Sequence, residues 1–251
     1  MSFEKPVLLV TGGSRGIGAA VSLQAAKAGW HVVVNFAQNK AAADQVVSDI
    51  ASAGGSAVAL QGDVGSHDAI LTLFDEIDRL YGRLDGLVNN AGIVDIAQRV
   101  DEMSYERLDR MFRVNTLGSV LCAREAVKRM STKYGGKGGA IVNVSSAATY
   151  IGSPGQYVDY AASKGAIDTF TLGLGREVAE EGIRVNAVRP GIIDTEIHAS
   201  GGLPDRARDL SPLIPMKRPG TAAEVADAIL YLLSPQSTYV TGSILNVSGG
   251  R

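Results

Sequence analysis

Two residues four apart, Tyr160 and Lys164 in Tyr160-Ala161-Ala162-Ser163-Lys164, offer proton chemistry. They open a strong helical pattern, and side chains at i and i+4 of a helix share one face. A phenol titrates near ~10, and a neighbouring ammonium could lower that. Lowering it by two or three units requires about 3–4 kcal/mol. One charge ~4 Å away, at an effective dielectric of ~20, supplies about 4 kcal/mol. The magnitude suffices, although with eight tyrosines and eight lysines in the chain such a spacing is weak by itself. Upstream, Ile141-Val142-Asn143-Val144 reads as a strand that ends in Ser145-Ser146. A hydroxyl at the carboxyl end of a parallel strand faces the ligand crevice and could bind a substrate carbonyl. Asn89-Asn90-Ala91-Gly92 closes an earlier strand in the same way.

A second kind of chemistry lies near the start. The run Thr11-Gly12-Gly13-Ser14-Arg15-Gly16-Ile17-Gly18 follows an apolar strand and leads into an alanine-rich helix. Glycines there permit a tight turn and close approach of backbone N–H groups to a pyrophosphate at the helix N-terminus. The spacing is G-x-x-x-G-x-G rather than G-x-G-x-x-G, and no lysine follows Gly18, which excludes a Walker phosphate loop. The same stretch fits the hydrolase elbow G-x-S-x-G with Ser14 as nucleophile. That chemistry needs an acid and then a late histidine, whereas His31, His67 and His198 all stand elsewhere. Three scattered histidines and one cysteine have no metal-ligand spacing, so no metal site is expected.

Short apolar runs position these residues. Strands are expected at Val7–Val10, His31–Phe36, Ala57–Gln61, Gly86–Asn89, Ala140–Ser145, Arg184–Val188 and Ile244–Val247. Most are continuously apolar, the mark of strands buried on both faces of a parallel sheet. Helical spacing fills the gaps, as at Ile70, Phe74, Ile77 and Leu80–Tyr81, and at Val225, Ile229 and Leu232–Leu233 behind a capping box from Thr221 to Glu224. Strand–helix alternation across residues 1–251 implies one doubly wound α/β domain: seven strands, mostly parallel, with helices on both faces. Residues 191–220, with prolines 204, 212, 215 and 219, break the rhythm and read as a substrate-binding loop beyond a strand end.

Composition sets the outer bounds. Apolar residues are 45% of 251 and charged residues 20%, ordinary globular values. A formal charge of −2 without long runs of one sign argues against nucleic-acid or membrane partners. The start, MSFEKP, lacks a signal peptide's pattern, and no stretch is long and apolar enough for a membrane span. The single Cys122 suits a reducing compartment, and a cytoplasmic location is expected.

Taken together, Thr11-Gly12-x-x-x-Gly16-x-Gly18, Asp63-Val64, Asn89-Asn90-Ala91-Gly92, Asn115, Ser146, Tyr160-x-x-x-Lys164 and Pro190-Gly191 resemble the short-chain dehydrogenase/reductase family over essentially the full length. The likeness is to bacterial members similar to glucose 1-dehydrogenases and 3-oxoacyl-carrier-protein reductases. It implies a Rossmann-type fold and hydride transfer between a nicotinamide cofactor and a carbonyl or secondary alcohol. By that resemblance Tyr160 is the general acid/base, and Lys164 lowers its pKa and binds the nicotinamide ribose. Ser146, two residues past Val144, steadies the substrate oxygen, and Asn115 holds a water that extends the relay. Gly12, Ser14, Arg15, Gly16, Ile17, Gly18 and Asn35 are expected cofactor contacts. Asp63 and Val64 are the expected adenine pair, and Asn90, Ala91 and Gly92 flank the adenine ribose. Ile193 and Thr195, after Pro190-Gly191, are expected at the nicotinamide carboxamide.

NADP(H) is expected over NAD(H), because no acid follows the second strand until Asp44, and Arg15 could meet a 2′-phosphate. A small ketone, polyol or sugar is the expected substrate. A 3-oxoacyl group on a carrier protein is the alternative, weakened by Glu180-Glu181 where basic residues would grip an acidic carrier, although Arg124, Arg129 and Lys137 leave it open. A catalytically silent dinucleotide sensor is the rival of another class. The resemblance also implies a homotetramer, consistent with surplus apolar residues around Val120, Ala123 and Val127 and around Ile167, Phe170, Leu172 and Leu174.

Overall fold

Val7, Leu8, Leu9 and Val10 form β1 (Val7–Val10), and none has more than 1% of its surface exposed. A strand apolar at every position needs cover on both faces. In the computed structural model, which describes residues 5–196, 201–203 and 205–251, that cover comes from two helical layers. The other strands are β2 (His31–Phe36), β3 (Ser56–Gln61), β4 (Gly86–Asn89), β5 (Gly139–Val144), β6 (Ile183–Pro190) and β7 (Ile244–Val247). They form one sheet in the order β3-β2-β1-β4-β5-β6-β7. Every pairing is parallel, so the expected mostly parallel sheet is parallel throughout.

Strand ends shift by a residue or two for identifiable reasons. β3 begins at Ser56, whose Oγ lies 2.6 Å from Nδ1 of its register partner His31. β5 and β6 start together at the pair Gly139 and Ile183, and β6 runs on to Pro190 opposite Val247.

Leu8, Val10, Val32 and Val34 face α1 (Gly16–Lys27), α2 (Lys40–Ser52) and a late helix, Ala222–Leu233. Val7, Leu9, Val33, Leu87 and Ile141 face α3 (His67–Tyr81) and Ser119–Met130 on the other side. The periodic residues Ile70, Phe74 and Ile77 of α3 are fully buried, while Leu80 is exposed. Ser66 caps its start, and Gly82, in the left-handed conformation, ends it.

Between β4 and β5 lie α4 (Tyr105–Phe112), a π-helical turn at Arg113–Gly118, and α5 (Ser119–Met130). After β5 come the short α6 (Ala148–Ile151) and the long α7 (Val158–Glu177). The 191–220 segment carries α8 (Arg206–Leu210), and its ends are joined by a bridge between Ile193 and Gly220. His198 and Pro204 lie outside the described residues. The last helix, α9 (Ala222–Leu233), starts from the expected capping box: Thr221 N donates to Glu224 Oε2 at 2.8 Å, and Glu224 N to Thr221 Oγ1 at 3.2 Å. No helix of the described residues is long and apolar enough to cross a membrane.

Candidate active site

Strand order reverses between β1 and β4, and in open α/β sheets the ligand crevice opens there, beyond the carboxyl ends. Thr11 and Asn90 tie the two strand ends together. Thr11 Oγ1 accepts from Asn90 N and Ala91 N, both at 3.0 Å, and Asn90 Nδ2 donates to the carbonyls of Thr11 and Gly12 at 2.9 and 3.0 Å. Gly12 turns at φ +60, which a side chain would strain, and a Cβ on Gly18 would fall 2.2 Å from the Gly12 carbonyl oxygen. The turn delivers the chain into α1, whose first turn carries no acid and whose start has no side-chain cap. The N–H groups that a cap would satisfy are left for an anion. A dinucleotide pyrophosphate therefore fits this turn.

Asn35 corrects an expectation. Its side chain is buried beneath the glycine turn: Oδ1 accepts from Gly12 N at 3.3 Å, and Nδ2 donates to Gly62 O at 2.9 Å. It props the loop from behind and does not face the crevice. Arg15 is exposed and makes no ion pair among the described residues, and Asp44 is held by Lys40 at 2.7 Å. Asp63 is exposed after β3, with Oδ1 accepting from Gly65 N at 2.8 Å, and Val64 beside it is buried.

The later residues converge beyond β4, β5 and β6. A cleft of about 380 Å³ is lined by Ile17, Asn90 and Gly92, by Ser146, Tyr160 and Lys164, and by Pro190, Gly191, Ile193 and Thr195. Lys164 Nζ donates to Val144 O at 2.7 Å and lies 5.9 Å from the centre of the Tyr160 ring. Burial brings the Lys164 pKa down to about 8, with Asp168 opposing.

Tyr160 runs against the expectation of a lowered pKa. Burial raises it above the ordinary phenol value, and the hydrogen bond with Ser146 opposes the rise. The ammonium lies over the ring, bonded to the Val144 carbonyl, and burial of the phenol prevails. Ser145, in contrast, is buried and turned towards Lys164 O at 3.4 Å, which leaves Ser146 as the hydroxyl beside Tyr160.

Asn115 sits in the π-helical turn, fully buried. Its Oδ1 accepts from Ile93 N at 2.8 Å, and its Nδ2 donates to Ile93 O at 2.9 Å and Ser163 Oγ at 3.2 Å. A Cβ on Gly92 would stand 3.3 Å from Lys164 Nζ and 3.4 Å from Asn115 Oδ1, so both groups border one small space. From the far side a buried ion pair, Arg107 Nε to Asp159 Oδ2 at 2.8 Å, fixes the first turn of α7 to α4.

Neither of the two described histidines supports the hydrolase alternative. His31 stands at the amino end of β2, opposite the glycine turn, and His67 opens α3, 3.0 Å from Arg124. Neither can serve Ser14. Sequence reasoning missed the outer wall of the cleft, which includes Ile151, Gln156, Tyr157, Arg206 and Arg251. Arg206 falls within the expected loop, but nothing in the pattern singles out Arg251.

Comparison with known proteins agrees with this geometry. A family model described as enoyl-(acyl carrier protein) reductase matches residues 12–251. Uncharacterized oxidoreductase YgfF of Escherichia coli (strain K12) is 54% identical over 98% of this chain and 99% of its own. Versicolorin reductase stcU of Emericella nidulans is 37% identical over 97% and 94%. A 3-oxoacyl-[acyl-carrier-protein] reductase of Synechocystis is 39% identical over 97% and 96%. With the parallel sheet, the phosphate-binding turn and these full-length relatives in hand, the chain belongs to the short-chain dehydrogenase/reductase family and is an oxidoreductase that uses NAD(P).

Proposed function

We propose that the protein interconverts a carbonyl and a secondary alcohol on a small substrate, with Tyr160 as general acid/base and NADP(H) as the preferred cofactor. The observation that carries this reading is the meeting of Ser146, Tyr160 and Lys164 in one cleft with the glycine turn's Ile17 and with Asn90 and Gly92. The nicotinamide supplies or accepts the hydride when it is bound. The chain's own residues handle the proton. Ser146 holds the substrate oxygen, and Tyr160 OH donates its proton to that oxygen as the C–H bond forms, or takes it back in oxidation. The neutral phenol favoured by burial is the form that reduction needs. Lys164 would keep positive charge near the phenolate that reduction leaves, and Asn115 borders the same small space beside Gly92, where a water would return the proton.

Gly12, Ser14, Gly16, Ile17 and Gly18 would hold the pyrophosphate, Asp63 and Val64 the adenine, and Asn90, Ala91 and Gly92 its ribose. Pro190, Gly191, Ile193 and Thr195 would hold the carboxamide, and Gly201 and Arg206 of the same segment would line the substrate's end of the cleft. The preference for NADP(H) rests on unpaired Arg15 and on the lack of an acid between Asn35 and Asn39. A homotetramer is proposed from the family, with Leu172 and Leu245 exposed on α7 and β7.

The second reading is a carrier-linked 3-oxoacyl reductase, favoured by the Synechocystis relative. Against it, Arg129 is committed to Asp78 at 2.6 Å and Glu125 at 3.1 Å, and Arg124 to Glu125 at 3.0 Å. Steady-state reduction by NADPH across a carbonyl panel tests the proposal. General acid–base catalysis is worth about 10²–10⁴ in rate, and Tyr160→Phe should lose that much kcat while still binding NADPH. A silent sensor would bind NADPH and reduce nothing. Equal turnover in Tyr160→Phe would remove Tyr160 from the mechanism.

A further inference from the structure

Among the described residues lining the cleft there is no aspartate or glutamate, yet two arginines stand on its outer wall, away from the glycine turn. Arg206, in α8, is half-buried. Its Nη2 donates to the neutral Gln156 Oε1 at 2.9 Å, and its guanidinium lies 5.2 Å from the centre of the Tyr157 ring. The acids beside it in sequence are taken by another residue: Arg208 pairs with Asp205 at 3.0 Å and lies 3.5 Å from Asp209. Arg206 thus has no carboxylate partner among the described residues.

Arg251 reaches the same cleft from after β7. Its Nη1 is buried and has no hydrogen-bond partner among the described residues. A buried donor left unmatched is costly and calls for an acceptor. The residue is not there by looseness of the chain. Tyr150 OH donates to Arg251 O at 2.5 Å, Met216 N donates to Gly249 O at 3.2 Å, and a Cβ on Gly250 would meet Pro215 at 3.1 Å. The segment is held against residues 214–216 of the loop, and Arg251 lines the cleft.

We propose that the substrate carries a carboxylate, bound by Arg206 and Arg251 at the end of the cleft away from the cofactor, so that the reaction is the interconversion of an oxo acid and a hydroxy acid. The proposal rests on the oxidoreductase reading above and narrows its substrate class. A planar guanidinium bonds a carboxylate with paired N–H groups, which suits Arg more than Lys at such a wall. A wall without acids neither repels that anion nor competes for the arginines. A neutral sugar or polyol would leave both charges unanswered.

The test uses acetoacetate, 4-oxopentanoate and 5-oxohexanoate against their methyl esters. The three acids vary the span from carbonyl to carboxylate. Binding to the protein–NADP⁺ complex is measured by calorimetry, and NADPH-dependent reduction is measured in parallel. At least one acid should bind and turn over about 10-fold or more better than its ester, as expected for charge-assisted hydrogen bonds. Arg206→Gln and Arg251→Gln should each erase most of that preference through KM, with the Kd for NADPH unchanged.

Equal or weaker binding of every acid relative to its ester overturns the proposal, whether or not turnover occurs. So does a rise in the NADPH Kd of both variants, which would assign the arginines to the cofactor. Reduction of esters without acid preference would sink this inference alone. Acid binding without turnover of any carbonyl would support the anion site and sink the oxidoreductase mechanism.

Discussion

Lys164 carries the pH dependence. Its pKa of about 8 lies below the ordinary lysine value because the ammonium is buried. The charged form therefore prevails below about 8 and is lost as pH rises through it. The kcat/KM for carbonyl reduction should be flat to that point and then fall. Burial moves Tyr160 the other way, above the ordinary phenol value, and so away from that limb. In Lys164→Arg the limb should disappear from the range below pH 10, since a guanidinium stays protonated. A fall at the same pH in the variant would place the titration elsewhere. Cofactor choice is also a single-residue matter. Phe36 ends β2 but is packed in the core, so a carboxylate meant to meet a ribose hydroxyl belongs at exposed Ala37. In Arg15→Ser/Ala37→Asp the ratio of kcat/KM for NADPH over NADH should drop by about 10–100-fold, the scale of one lost charge-assisted contact and one gained repulsion. An unchanged ratio, or NADH preference in the wild type, would refute the NADP(H) assignment.

Elements hold these residues by buried polar contacts as much as by apolar packing. Arg107 of α4 and Asp159 of α7 form an ion pair with almost no exposure, one residue before Tyr160. Breaking one side of such a pair costs about 3–5 kcal/mol, because the other charge stays buried alone. Arg107→Leu should lower unfolding free energy in urea by that amount, and Arg107→Leu/Asp159→Leu should recover much of it. Equal losses in the single and double variants would mean that packing, not charge, is at stake.

Such ties explain what the sequence could and could not reveal. Tyr160-x-x-x-Lys164 on one helix face, the glycine turn and seven apolar strands follow local periodicity, and each stands where its pattern places it. The direction of the Tyr160 pKa does not, because it depends on which carbonyl Lys164 reaches and how deeply the phenol is buried. Asn35 looked like a crevice residue because it stands next to the end of β2, but a strand's side chains alternate and its own points beneath the loop. Arg206 and Arg251 line one cleft only because tertiary contacts hold the chain after β7 against residues 214–216, so no window of sequence contains them.

At the scale of the whole molecule, apolar surface remains on α7, where Leu172 is 38% exposed, and on β7, where Leu245 is 40% exposed; Tyr239, just before β7, is fully exposed. Ala123 and Ile167 are buried within the chain, so part of the apolar surplus serves the monomer core. The rest is proposed to be covered in a tetramer, and light scattering at micromolar concentration should give four times the 26.2 kDa chain mass. A monomeric mass would refute the assembly.

The tie between Thr11 and Asn90 spans 79 positions. It has a consequence for the birth of the enzyme. During translation every residue of the β1–β4 crevice has been made by Gly92, yet the strands and helix that wall it, β5, α7 and β6, emerge only between residues 139 and 190. Pairings of such long sequence separation form late. A nascent chain therefore closes its dinucleotide crevice slowly, and none that ends before Tyr160 carries the proton donor.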